Sequence, residues 1–192
     1  MTIIPTQGFD VSNLGLISKE NHPLTRKELF KKYKINNKIF LETGTHKGES
    51  VQTALDLGFE KIISVEIIPE MYNKCCDLFS KENKVKLFLG DSNSRIKEML
   101  DLVDSPALFW LDGHQDGVSG DPLWGELEAI KNHNIKTHTI IVDDIPIYFG
   151  DGSQVKNKIL EINPNYCFIT EDALNEGNGD TMKNWDLIAY IP

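Results

Sequence analysis

Ile39-Phe-Leu-Glu-Thr-Gly-Thr-His-Lys-Gly-Glu-Ser50, followed after one helical segment by Ile62-Ile-Ser-Val-Glu66, decides the fold. An apolar strand over Lys38 to Glu42 runs into a turn with glycines at 44 and 48. Val51, Ala54 and Leu55 then recur at helical spacing, Gly58 suits the helix stop, and a second apolar strand covers Lys61 to Ile67. Strand, glycine turn, helix and a strand ending in a carboxylate make a βαβ unit of the kind that holds a ribose-bearing ligand.

Upstream, residues 1 to 22 show no periodicity, and Thr25 with Glu28 has the spacing of a capping box ahead of Leu29, Phe30 and Tyr33. This divides the chain into an arm with a short helix (1–37) and one domain (38–192). The arm either shapes a ligand mouth or contributes to a homodimer. Downstream, Pro69 opens a helix with Met71, Cys75 and Leu78 on its inner face. A third strand spans Val85 to Gly90, and Ile96, Met99, Leu100 and Val103 set the next helix. Ala107 to Leu111 is continuously apolar, as in a strand buried on both faces of a parallel sheet. After a polar loop over 113–120, Pro122, Leu123, Leu127 and Ile130 mark a helix, and Thr139 to Val142 a fifth strand. Ser153 is the expected N-cap of a helix carrying Val155, Ile159 and Ile162. Tyr166 to Thr170 and Leu187 to Ile191 are two last strands, joined by a mobile polar loop and paired antiparallel because no helix separates them. The expected fold is α/β: a Rossmann-like seven-stranded sheet, mostly parallel with an antiparallel last strand and helices on both faces.

A net charge of −9 argues against a nucleic-acid partner, and no apolar run approaches the roughly 20 residues of a membrane span. The N-terminus lacks the layout of a signal peptide. Three cysteines, two of them adjacent, form no disulfide framework or spaced metal set. A cytoplasmic, acidic, membrane-free protein is expected.

The strand-end acids carry the chemistry. Gly44 and Gly48 let backbone approach a ligand, but the Gly-x-Gly-x-x-Gly of dinucleotide enzymes is absent, and Glu42 beside the turn disfavours a pyrophosphate while suiting an ammonium. Glu66 can accept from both ribose hydroxyls, and Asp91 from an adenine amine. A ligand with an ammonium, a ribose and an adenine but no phosphate is S-adenosylmethionine. Each acid alone could instead cap the following helix.

Glu42-x-Gly44-x-x-x-Gly48, Glu66, Gly90-Asp91-Ser92 and the strand order resemble the class I S-adenosylmethionine-dependent methyltransferases over residues 38–192. The resemblance implies cofactor contacts from Glu42, Gly44, Thr45, Gly48, Glu66, Asp91 and Ser92. Asp112 ends the fourth strand, and Asp143-Asp144 the fifth. Neighbouring strands would gather three carboxylates that repel one another unless a cation lies between them, and all-oxygen donors point to Mg²⁺. This pattern resembles the metal-dependent O-methyltransferases, the macrocin type more than the catechol type, and implies Asp112, Asp143 and Asp144 as ligands. The metal would lower the pKa of an acceptor hydroxyl on a small molecule or saccharide.

His114 is the candidate general base beside catalytic Asp112; its other reading is a loop histidine bonded to Asp116 or to backbone. The catechol-type lysine position holds Gln115, which cannot be a base. His46 is expected as an exposed loop residue. Trp110 and Phe109 are expected in the core, and Trp124, Tyr148 and Phe149 in either core or acceptor wall. The rivals are a metal-independent methyltransferase, an NAD-binding oxidoreductase and a non-catalytic domain of the same fold.

Overall fold

In the computed structural model, residues 22–114 and 121–192 are described. The sheet grows from β1 (Ile39–Thr43), whose five residues are all buried. It pairs in parallel with β2 (Lys61–Glu66) on one side and with β4 (Ala107–Leu111) on the other. Beyond them lie β3 (Val85–Leu89) and β5 (Thr139–Val142), then β7 (Thr181–Tyr190) and β6 (Cys167–Leu174) at the edge, giving the order β3-β2-β1-β4-β5-β7-β6. Only β7 runs against the others, bonded antiparallel to β5 and β6. The expected seven-stranded, mostly parallel sheet with an antiparallel last strand is the observed one.

Strand order reverses between β1 and β4, and a parallel sheet opens a crevice at the carboxyl ends of its strands at such a point. The helices α2 (Glu49–Asp56), α3 (Pro69–Leu78), α4 (Ser92–Leu100), α5 (Leu123–Asn132) and α7 (Ser153–Leu160) cover the two faces. One core joins β1, β4 and β5 to Ile96, Met99, Leu127, Ile130 and Val155; the other lies under Phe40, Phe59, Leu108 and Ile188.

The short helix α1 (Arg26–Tyr33) packs on the domain itself. It has the expected capping box, Thr25 with Glu28, and buries Leu29, Phe30 and Tyr33. The Phe30 ring lies 5.0 Å from Phe40 and 5.1 Å from Trp110. Three such side chains contribute about 1.5–3 kcal/mol each, enough to fasten a helix that would not persist alone. Leu24 extends this attachment: its N–H donates to the Asp172 carbonyl at 2.8 Å, and its carbonyl accepts from Leu174 at 2.9 Å. Residues 1–21 of the expected arm, and the loop 115–120 with Gln115 and Asp116, lie outside the described residues.

Several sequence expectations need correction. Leu78 is exposed; Phe79, one residue later, turns inward against Gly48, so the buried face of α3 ends on the aromatic ring. Ser153 is the first residue of α7, not its cap. Gly152 with φ 71° occupies the cap position, and Asp151 accepts the Ser153 N–H at 2.9 Å. A four-residue helix, α6 (Ile145–Tyr148), follows Asp144 and had no periodic signal. The last hairpin is longer than expected, with strands extending to Leu174 and back from Thr181. Its extra residues bring Asp186 to the sheet edge.

Candidate active site

The turn after β1 is shaped by steric demand. Gly44 has φ 88°, and a Cβ there would lie 2.4 Å from the Asp112 carbonyl oxygen; Gly48 has φ 80°, and its Cβ would lie 2.6 Å from the Phe79 ring. The N–H groups of Gly44 and Thr45 both donate to the Val65 carbonyl, folding the turn over the end of β2. There the Glu66 carboxylate accepts from His46 N–H at 2.7 Å and from Ile68 N–H at 2.8 Å. Each Glu66 oxygen therefore has one fixed backbone donor and lone-pair capacity for another. His46, expected as an exposed loop residue, is exposed; it lines the cleft and has φ 49°, with its N–H on Glu66.

A cleft of about 580 Å³ opens between this turn and the ends of β2, β3 and β4. Gly44, Thr45, Glu66, Asp91, Ser92 and Asp112 line it, six of the residues singled out in the sequence. Asp91 combines the two readings offered for it: it lines the cleft, and one oxygen caps α4 by accepting from Ser94 N–H at 3.0 Å and Ser94 Oγ at 2.8 Å.

Glu42 and Gly48 are near the turn but are not among the residues lining the cleft. Glu42 is fully buried and accepts from Ser64 Oγ at 2.7 Å, while Ser64 in turn meets Thr45 Oγ1. Burial raises its carboxyl to about 8, against the opposing effects of the Ser64 hydrogen bond and of Arg26. A largely neutral acid beneath the turn has no charge with which to select an ammonium. Glu42 thus supports the turn from beneath, and its second oxygen is buried without a partner among the described residues.

On the other side of Asp112 lies a second cavity of about 410 Å³, enclosed by Trp110, Asp112, Asp143, Asp144, the β6–β7 hairpin and the start of α1. The parallel register continues past the strand ends, with Asp112 N–H on the Thr43 carbonyl and Asp143 N–H on the Leu111 carbonyl. Asp112, Asp143 and Asp144 each present an oxygen within 4.8 Å of the others. Asp144, with φ 55°, makes no capping bond to α6, so helix capping does not account for its carboxylate. Burial first, then the charges of Asp143 and Asp144, raise the Asp112 carboxyl well above its usual range. Asp143 rises to about 6, again through burial and then Asp144.

A fourth carboxylate, Asp186, joins them. It is 2 % exposed, hydrogen-bonds to Asp143, and has one oxygen without a partner among the described residues. Burial and the Asp143 charge push its carboxyl well up. Reading the last strand from Leu187 left Asp186 in a loop. Asp186 lies inside β7, one residue beyond the Val142–Leu187 pair, which puts it at the carboxyl edge of β5.

His114 lines the cleft with its Nδ1 3.3 Å from Asp121 Oδ1, a partner the sequence reading did not single out. Its ring packs against Tyr148 and Phe149, with centroids 5.1 and 4.9 Å away; of the two, Tyr148 lines the cleft and Phe149 packs on the core. Burial lowers the imidazole pKa, but Asp121 outweighs it and the net shift is upward. Since a carboxylate only accepts, Nδ1 carries the shared proton and Nε2 is the other ring nitrogen, buried and without a partner among the described residues. Glu126 was also missed. It sits on the apolar face of α5, fully buried, raised to about 7 by burial, and accepts from Thr43 Oγ1 at 3.4 Å. A glutamate in phase with Leu123 and Ile130 was the visible sign.

No protein-family model and no curated protein matches the sequence. Solved structures do match. An O-methyltransferase from Bacillus cereus in complex with S-adenosylhomocysteine superposes with a TM-score of 0.62 at 14 % identity, over 94 % of this chain and 86 % of that one. The O-methyltransferase TomG from Streptomyces achromogenes, involved in tomaymycin synthesis and bound to S-adenosylmethionine, gives 0.62 at 11 %, over 86 % and 77 %. The chain shares its fold with both. Spermidine synthase from Thermotoga maritima also matches, with a TM-score of 0.57 at 13 % identity, over 87 % of this chain and 57 % of that one. The fold therefore hosts more than one chemistry, and the reaction must be argued from the site. No helix among the described residues is long and apolar enough to cross a membrane.

Proposed function

We propose that this protein is an S-adenosylmethionine-dependent O-methyltransferase assisted by a divalent metal, acting on a hydroxylated small molecule or saccharide. The observation that carries the reading is that Asp112, one of three residues common to both spaces, lines the cleft bearing Glu66 and belongs to the carboxylate trio of the second cavity. A group held in the first is thereby next to a group held in the second.

The residues fit both ligands. The cleft volume lies within the roughly 300–1,000 Å³ of small-molecule sites. Its rim depends on the missing Cβ of Gly44, and Glu66 is pre-oriented by two backbone donors. The trio offers hard oxygen donors without thiolate, gathered within 4.8 Å of one another in a largely buried setting. When bound, the cofactor supplies an electrophilic methyl on a sulfonium, and Mg²⁺ supplies a Lewis acid that acidifies an acceptor hydroxyl.

The chain's own work is positioning and proton handling. Glu66 holds the ribose hydroxyls, and Asp91 and Ser92 the adenine end. Thr45 and Gly44 keep the turn low enough for the sulfur end to pass. Asp112, Asp143 and Asp144 would hold the metal, which would supply a Lewis acid for the acceptor hydroxyl. His114, lining the cofactor cleft with Asp121 fixing its tautomer and orientation, would take the acceptor proton only where the acceptor reaches the wall shared by the two spaces. The lost proton then rests on an imidazolium paired with Asp121.

A metal-independent transfer has one observation in its favour: the Asp143–Asp186 hydrogen bond is another way of easing the carboxylate repulsion. Transfer of labelled methyl from S-adenosylmethionine to a panel of catechols, polyols and saccharides, with Mg²⁺ or with EDTA, separates the two. The proposal expects transfer that EDTA abolishes and Mg²⁺ restores. EDTA-resistant transfer contradicts the metal's role, and failure of the protein to bind S-adenosylhomocysteine contradicts the whole reading.

A further inference from the structure

We infer that Arg26 is the anchor for the carboxylate of the cofactor's amino-acid arm, so that α1 completes the cofactor site. The inference rests on the cleft being the S-adenosylmethionine site. Arg26 lines the cleft and the second cavity alike, a position it shares with Asp112 and Glu49. A methyl passing from one space to the other requires the sulfonium to lie at that shared wall. Of the three substituents on sulfur, the adenosyl runs toward Glu66 and the methyl faces the acceptor. The third, the amino-acid arm, is a short aliphatic chain ending in an α-ammonium and a carboxylate, so a negative group also ends near the wall, beside an ammonium that the acids there suit.

That wall is otherwise hostile to an anion. Glu49 and Asp112 share it, and Glu66 and Asp91 stand further along the cleft. Arg26 offsets them. Its positive charge favours the ionised forms of Glu42, Asp112 and Asp143, which places it electrostatically among all three. A guanidinium also matches a carboxylate in a two-pronged geometry that an ammonium cannot offer.

The side chain is held at its root and exchangeable at its tip. Arg26 is the first residue of α1, directly after the Thr25 cap, and Leu24 is pinned to Asp172 and Leu174 by two backbone hydrogen bonds. At the other end its ion pair is with Glu49, Nη1 to Oε2 at 3.3 Å, and the Glu49 side chain is 65 % exposed. Exposed pairs are worth little, so a ligand carboxylate can take over the guanidinium at small cost. Lys47 also lines the cleft, but it does not line the second cavity.

The test is calorimetric binding of S-adenosylhomocysteine and of methylthioadenosine, which lacks the amino-acid arm, to the wild type and to Arg26→Met, Lys47→Met and Glu49→Gln. Arg26→Met should weaken S-adenosylhomocysteine about 10–100-fold, as expected for losing a charge-assisted pair. Methylthioadenosine should change by less than about threefold, since the affinity tracks only the contacts it makes. Glu49→Gln should leave S-adenosylhomocysteine equal or tighter, because it removes the competitor; a merely structural Arg26–Glu49 pair would instead make both variants weaken binding alike. Unchanged S-adenosylhomocysteine affinity in Arg26→Met, parallel loss of methylthioadenosine, or transfer of the selective loss to Lys47→Met would each overturn the inference. A wild type that binds neither ligand overturns the cofactor reading, and this inference with it.

Discussion

Replacing Asp143 by Asn should stabilise the ion-free protein and remove its response to magnesium. Burial, then the charge of Asp144, raises the Asp143 carboxyl from 3.8 to about 6. The folded state therefore keeps a proton that the unfolded chain has released between about pH 4 and pH 6. The group's stabilising contribution is present below about pH 4 and lost as pH rises through about 6. At 1.36 kcal/mol per pKa unit the full cost of ionising Asp143 in place is about 3 kcal/mol. The proton shared with Asp186 already relieves part of it, so about 2 kcal/mol should be recovered on substitution. Asn keeps the oxygen that accepts the Asp144 N–H at 2.7 Å and gains an N–H for Asp186. In a domain of this size that gain raises Tm by about 4–8 °C. Saturating Mg²⁺ should stabilise the wild type by about 2–3 kcal/mol at a hundredfold excess over Kd, and leave Asp143→Asn unmoved. Thermal unfolding at about pH 8, above the raised carboxyl, with EDTA or with Mg²⁺, gives four midpoints that should cross over. A variant less stable than the wild type in EDTA, or an equal response of both proteins to Mg²⁺, would refute the reasoning.

Gly44→Ala meets a backbone oxygen at 2.4 Å and needs φ 88°, so neither partner yields cheaply. It should cost about 2–4 kcal/mol in denaturant unfolding and abolish S-adenosylhomocysteine binding by calorimetry. His114→Gln should lower kcat by about 10²–10⁴-fold, and Asp121→Asn should lower it as well, with cofactor affinity unchanged; equal loss of affinity would make both merely structural. On the far edge of the sheet, His138 is fully buried, accepts the Ala107 N–H at 3.2 Å and is lowered to about 3, chiefly by burial and then by His133. Its contribution is present above about pH 6.5 and lost as pH falls toward 3, opposite in sign to Asp143 over the shared range. His138→Asn, which keeps an acceptor, should flatten the acid-side fall by up to about 1.4 kcal/mol per pH unit in denaturant titrations.

The sequence displayed the sheet well because its strands are buried on both faces and therefore read as continuous apolar runs such as Ala107–Leu111. Cofactor-side residues were equally visible: a glycine turn and acids at strand ends are local features, and Glu66, Asp91 and Asp112 do line one cleft. Asp112, Asp143 and Asp144 were brought together because register carries strand-end neighbours to the same edge. What failed depended on facts no local window holds. Glu42 reads as a rim acid, but the turn folds over it, it does not line the cleft, and burial raises its carboxyl. Asp121 and Asp186 matter only through contacts made across the fold, and α6 is too short for any periodicity. Arg26 reads as one charge on a basic helix, and only α1 packing over the cleft gives it a place.

The central claim is that the cofactor cleft and a metal-holding acid cluster meet at Asp112. A crystal structure with S-adenosylhomocysteine and Mn²⁺, recorded at the manganese edge, tests it most directly. The account predicts the nucleoside with its ribose on Glu66 and one anomalous peak ligated by Asp112, Asp143 and Asp144. S-adenosylhomocysteine in the cleft with no anomalous peak at the acids, or a nucleoside lying away from Glu66, would contradict it.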